Sequence, residues 1–128
     1  MSPISTLYLR RDFTSHAIKT FYEARKVTAA LCHGVASLID VTLSDGSYLI
    51  TGKTMTGFAN VEEEFADHYV GRKVMPWHIE DAARERGANY IQGGRFKAFA
   101  ARDGRLFTGQ QQYSGAATAR LVIAALGT

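Results

Sequence analysis

The sequence predicts an α/β domain built on a largely parallel sheet, and three observations predict it. Apolar positions at helical spacing alternate along the chain with short apolar runs of strand length. The apolar fraction, 46% of 128 residues, is enough for a buried core in one domain, 1–128. A single cysteine excludes an internal disulfide framework, so burial rather than cross-linking must hold the chain.

The elements follow in order. From Asp12 to Ala24, Phe13, Ala17, Ile18, Phe21 and Ala24 recur at helical spacing, which predicts an amphipathic helix ending near Arg25-Lys26. Val27 to Leu31 reads as a strand, Gly34 to Val41 as a helix, and Ser44-Asp45-Gly46 as a turn. Tyr48-Leu49-Ile50 and Met55-Thr56 are strand-like, with Gly52-Lys53 as a bend between them. A helix starts at Asn60, with Glu62, Glu63 and Glu64 in the first turn, where exposed amides and the helix dipole favour carboxylates. Pro76 suits the first position of a helix over Trp77–Arg86, and Gly87 suits its stop. Asn89-Tyr90-Ile91, Phe96–Ala101 and Leu106–Thr108 read as strands, the last two joined at Asp103-Gly104 in an antiparallel hairpin. Ser114 caps a final helix whose core stripe is Ala117, Leu121, Val122 and Ala125.

Charge and segment length exclude several functions. The net charge of +3 comes from basic residues scattered through Arg10-Arg11, Arg25-Lys26, Arg72-Lys73, Arg84, Arg86, Arg102 and Arg105. No basic block with interleaved aromatics occurs, so a solvated surface is expected and no nucleic-acid partner. Every apolar run stops short of the roughly 18 residues of a membrane span, so no membrane insertion is expected. Met1–Thr6 lacks the basic start and long apolar core of a secretory signal, which with the lone thiol makes cytoplasmic residence the expectation.

The chemistry concentrates at Cys32. Val27–Leu31 delivers it into Cys32-His33-Gly34, with the small residues Ala30 and Gly34 two positions to either side. A tight strand-to-helix turn needs small neighbours when its apex side chain is pushed into an open, strained position. A lone cysteine in an apolar stretch is otherwise a small buried hydrophobe. A thiol near pKa 8.5 is mostly protonated at neutral pH, so a nucleophilic Cys32 needs amide hydrogens from the next helix and an imidazole to take its proton. His33 is that imidazole, and its backbone amide is placed to stabilise an oxyanion. A carboxylate must orient the ring, and Glu62-Glu63-Glu64 is the best source. Glu63 also has capping-box spacing from Asn60. His16, His68 and His78 lie far from any cysteine or carboxylate at metal-ligand spacing, so no metal site is expected.

Ala30-Leu31-Cys32-His33-Gly34, Gly52–Phe58, Glu62-Glu63-Glu64 and Asp103–Gln110 together resemble the ThiJ/PfpI family of the class I glutamine amidotransferase-like superfamily. The likeness runs from about Phe21 to Leu126. It is strongest to the Cys-His-Glu branch of glutathione-independent glyoxalases, protein deglycases and stress chaperones. The resemblance implies a three-layer flavodoxin-like sandwich in which Cys32 is the nucleophile, His33 its base and Glu63, six residues beyond Gly57, the acid. It implies a glyoxalase III-type lyase converting methylglyoxal, a small α-oxoaldehyde, to lactate with neither cofactor nor metal nor glutathione. Deglycation is the related reading; a non-catalytic holdase and a cysteine amidohydrolase or peptidase are the alternatives.

Members of the family carry a longer amino-terminal stretch, with a first strand, a glutamate that hydrogen-bonds the nucleophile and a glycine-rich loop supplying a second oxyanion donor. Only Met1–Arg11 precede the first matched helix here. The chain is therefore expected to be the carboxyl-terminal part of such a domain, lacking its first strands. An exposed strand edge should follow, with homodimer formation or poor solubility.

Overall fold

A computed structural model describes residues 3–127, with side chains from Phe13 to Gly127. Met1 and Ser2, part of the segment read for a secretory signal, lie outside the described residues. Helix α1 (Pro3–Glu23) is followed by strand β1 (Thr28–Leu31) and a 3₁₀ turn, Cys32–Val35, that runs into the one-turn helix α2 (Ala36–Ile39). Then come β2 (Thr54–Met55), α3 (Asn60–Val70), α4 (Ile79–Glu85), β3 (Asn89–Tyr90), β4 (Ala100–Asp103), β5 (Leu106–Gly109) and α5 (Gly115–Leu126).

Strands β1, β5 and β4 form one sheet in that order, with β5 at its centre. β1 runs parallel to β5 in the register Thr28↔Leu106 to Leu31↔Gly109, and β4 and β5 make the expected antiparallel hairpin. β2 pairs in parallel with β3. β5 is buried throughout, as a central strand covered on both faces must be. Helix α5 packs on β1, β4 and β5, while α1 packs on β1 and α2. The class and the mainly parallel pairing match the sequence expectation. The core joins Val35, Leu38 and Ile39 at the elbow to Leu49, Ile50, Met55, Phe58, Ile79 and Leu106, each contributing about 1.5–3 kcal/mol by burial.

Several expectations need correction. Tyr48-Leu49-Ile50 is no strand: Tyr48 makes an isolated bridge to Thr42, and Leu49 and Ile50 enter the core from a turn. Burial, not strand pairing, explains their apolarity. The Gly34–Val41 helix is divided into a 3₁₀ turn and a single α-turn. Helix α4 starts at Ile79 with His78 as its cap, so Pro76 precedes the helix. In α1, Phe13 and Phe21 are 76% and 51% exposed, and the helix meets the core through the expected Ile18, partly buried, and through buried Tyr22. In α5 the fully buried residue is Thr118, while Ala117, Leu121, Val122 and Ala125 are half-buried. Ser114 does sit at the amino-terminal cap of α5, but its hydroxyl donates to Gln111 Oε1 at 2.9 Å rather than capping the helix.

The strand expected at Phe96–Ala101 begins only at Ala100. Buried polar side chains capture the backbone before it. Glu62 Oε2 accepts from Phe96 N at 2.9 Å, Ser114 Oγ from Phe99 N at 3.1 Å, and Gln111 Nε2 donates to Lys97 O at 2.6 Å. Gln110 holds the preceding turn through Gly93 N and Gly94 O. Phe96 is thereby kept at φ +55°, a left-handed conformation that is strained for an aromatic residue.

Candidate active site

The end of β1 presents Cys32 at φ +59°, in the left-handed region that non-glycine residues rarely occupy. Such strain persists only where the surroundings over-determine it, and it clusters at functional sites. Here β1 is pinned by β5 on one side, Val35 is fully buried three residues on, and Phe58 N donates to Cys32 O at 3.4 Å. Gly34, on the outer side of the turn, is in open space. The small residue that the packing demands is Gly57, where a Cβ would lie 3.0–3.1 Å from Val35 and Ile79 side-chain atoms. That close approach lets the segment Thr56-Gly57-Phe58 run directly against the elbow.

The thiol is half-buried, and His33 Nδ1 lies 4.0 Å from its sulfur. On the far side of the ring, Nε2 is 2.5 Å from Glu63 Oε1. A carboxylate oxygen accepts, so Nε2 carries the hydrogen and Nδ1 presents its lone pair to the sulfur. That is the tautomer a base for Cys32 requires. The His33 ring is also held at 4.1 Å, centroid to centroid, over Phe58. Its side chain is 42% exposed, whereas that of Glu63 is 4% exposed. The arrangement therefore has an open thiol–imidazole end and a buried carboxylate end.

All three predicted site residues come together, but the supporting chemistry differs from expectation in two ways. The Cys32 thiol is pushed up from its ordinary pKa, first by burial and further by the Glu62 and Glu63 carboxylates. Backbone amides of His33 and Gln112 act in the opposite direction. The helix expected to help ionise it is only a 3₁₀ turn and a four-residue α-turn, too short for much aligned dipole. A nucleophilic role for Cys32 would therefore call for a base to take its proton. The capping role also moves by one residue. Ala59 is the cap of α3, and Glu62, not Glu63, returns to it, accepting from Ala59 N at 3.0 Å. Glu63 is left free to turn toward His33.

Sequence reasoning named Glu62 and Phe58 only as members of motifs and set His78 aside, assigning none of them a part in the site. Glu62 is fully buried and accepts from Ala59 N, Phe96 N and Gln111 Nε2, tying α3 to the aromatic loop beside the site. Phe96 sits edge-on to Phe58, Phe65 and Tyr113, forming an aromatic wall that starts under His33. His78, distant from Glu63 in sequence, lies with Nε2 3.9 Å from Glu63 Oε2. Its three-residue spacing to Asp81 was the only local hint. Among the described residues, no group of three or more His, Cys, Asp and Glu is arranged to hold a metal ion, and no helix is long and apolar enough to cross a membrane.

No family model matches the chain. Among curated proteins, it is 37% identical over 111 residues to Glyoxalase 3 of Candida albicans, covering 83% of this chain and 46% of that protein. It is 38% identical over 104 residues to Glutathione-independent glyoxalase HSP31 of Saccharomyces cerevisiae, covering 78% and 44%. Among solved structures, glyoxalase III from Candida albicans superposes with a TM-score of 0.70 at 34% identity, over 84% of this chain and 46% of that one. Rapid Encystment Protein 24 KDa from Francisella tularensis superposes with a TM-score of 0.81 at 30% identity, over 88% and 49%. The chain spans a little under half the length of the curated relatives it matches. Over that span it shares with glyoxalase III the α/β fold on which the elbow is built. The chain belongs to the ThiJ/PfpI-type family that includes Glyoxalase 3 and HSP31.

Proposed function

We propose that this chain carries the thiol centre of a glutathione-independent glyoxalase III-type lyase acting on small α-oxoaldehydes, with Cys32, His33 and Glu63 as its catalytic group. The observation that carries the reading is the strained, half-buried Cys32 with an imidazole lone pair on its sulfur and a buried carboxylate behind the ring. The names of the relatives supply the substrate class.

In the proposed reaction the Cys32 sulfur adds to the aldehyde carbon of methylglyoxal as its proton passes to His33 Nδ1. The imidazolium, held by Glu63, returns that proton to the new oxyanion and leaves a hemithioacetal. Moving the hydrogen of the former aldehyde carbon to the adjacent carbonyl carbon, through an enediol, gives a lactoyl thioester. Water cleaves the thioester, releasing lactate and the thiol. The sum is methylglyoxal plus water to lactate, with no net oxidation. Because burial and the neighbouring carboxylates raise the Cys32 thiol, proton transfer concerted with attack is favoured over a standing thiolate. An unpaired thiol suits a reducing compartment, and we place the protein in the cytoplasm.

The test is lactate release from methylglyoxal with glutathione omitted. The unsubstituted protein should form lactate and Cys32→Ala none. Equal rates from the two proteins overturn the proposal.

A further inference from the structure

We propose that His78 is a positioning residue for Glu63, a second imidazole that competes with His33 for the same carboxylate and weakens the base as pH falls. This rests on the reading of Cys32, His33 and Glu63 given above. His78 stands at the cap of α4 with extended backbone, φ −104° and ψ 136°. Its Nδ1 is 3.0 Å from Asn60 Oδ1, and Asn60 Nδ2 in turn donates to Asp81 Oδ1 at 2.8 Å. The second bond fixes which end of the Asn60 amide faces His78. Because that end is an oxygen, Nδ1 of His78 must carry a hydrogen.

The other ring nitrogen is left facing Glu63 Oε2 at 3.9 Å, and it is buried without a hydrogen-bond partner. A buried polar atom with no partner calls for an explanation. In neutral His78 a lone pair opposes a carboxylate oxygen. In protonated His78 an N–H points at that oxygen. Proton uptake at His78 is therefore coupled to the negative charge of Glu63, whose Oε1 is already engaged by His33. One carboxylate is bracketed by two imidazoles, one to each oxygen.

The other charged groups around His78 come from every element packed there. Glu63 belongs to α3. Asp81 of α4 lies 3.9 Å from Nδ1, and Glu80 accepts from Asn60 N while paired with Arg84. Lys73 and Glu85 line the concavity that His78 shares with Trp77. His33 lies beyond Glu63. When His78 is neutral, the full charge of Glu63 supports the His33 imidazolium that forms as Cys32 loses its proton. When His78 is charged, that support is divided.

Two measurements on the full 128-residue chain test this, and neither uses an aldehyde. The first is the pH-rate profile of Cys32 alkylation by iodoacetamide. In His78→Gln the rate near pH 6 should rise about threefold over the parent while the rate near pH 9 is unchanged. The same substitution should lose most of its effect in a Glu63→Gln background. The second is a nitrogen-15 titration of the unsubstituted protein, in which His33 should follow a two-step curve because its proton is coupled to that of His78. A single-step His33 curve, or a His78→Gln alkylation profile that superimposes on the parent's, overturns the proposal. If His78→Gln fails to fold, the titration decides. A His78 that only capped α4 would change the melting temperature and leave both pH curves in place. Failure of methylglyoxal turnover would instead overturn the proposed reaction and leave the His78 assignment standing.

Discussion

Replacing Glu63 with glutamine keeps the side-chain volume and an oxygen able to accept from His33 Nε2, but removes the charge. Glu63 Oε1 is 2.5 Å from that nitrogen, which sets the centres of the two charged groups about 4 Å apart. At an effective dielectric constant of about 20, such a pair is worth about 4 kcal/mol. Half-exposure of the His33 ring lets solvent screen it, and halving the figure leaves about 2 kcal/mol, or about 30-fold in the thiolate–imidazolium population. Glu63→Gln should therefore lower the rate of Cys32 alkylation by iodoacetamide at pH 7 by about 30-fold. The fold should survive. Glu63 also lies in the first turn of α3, where loss of its charge costs about 0.3–1 kcal/mol, so the melting temperature should move by about 5 °C at most. A variant that melts with the parent and alkylates at the parent rate would refute the argument that the carboxylate drives the imidazole.

Three further outcomes follow from the fold. Tyr90 is buried, and its hydroxyl donates to Gly57 O at 2.5 Å beneath the elbow. Tyr90→Phe strands that carbonyl and should cost about 1–3 kcal/mol in urea unfolding at pH 8. Burial, with added repulsion from Glu80 and Glu62, pushes the Tyr90 hydroxyl well above the ordinary tyrosine range. A group raised in the folded state contributes stability that is complete below its unfolded pKa of about 10 and is lost as pH rises through the folded value. The parent should thus lose stability between pH 10 and pH 12 more steeply than Tyr90→Phe, and parallel slopes would contradict the assignment. Among the described residues β1 is paired only by β5, and Phe13, Phe21, Val27 and Ala29 line a concavity beside it. Sedimentation at about 50 μM should show a dimer that Ala29→Pro weakens, by removing a strand donor; a monodisperse monomer would contradict it.

What was legible in the sequence was what local chemistry dictates. The elbow at Cys32 announced itself through Ala30, Gly34 and an adjacent histidine, and the Asp103–Leu106 hairpin through Asp-Gly. Glu63 could be placed among three acidic neighbours by motif spacing, but choosing between capping and orienting His33 required the backbone. Ala59, a residue with no capping side chain, turned out to start α3, and Glu62 took over the return bond. The misread segments share one cause. Leu49 and Ile50 are apolar because the core needs them, and periodicity cannot tell a buried turn from a strand. The Phe96–Phe99 run has strand-like composition, yet Glu62, Gln111 and Ser114, distant in sequence, claim its backbone hydrogen bonds. His78 was invisible for the same reason, since its partner across Glu63 lies 45 residues earlier at His33.

The central claim is that the Cys32 sulfur itself adds to an α-oxoaldehyde. Methylglyoxal labelled with carbon-13 at the aldehyde carbon reports on this directly. Mixed with the unsubstituted protein, it should give a protein-bound hemithioacetal resonance, followed by label in the carboxylate of lactate, and Cys32→Ser should give neither. Label reaching lactate equally fast from Cys32→Ser would contradict the account.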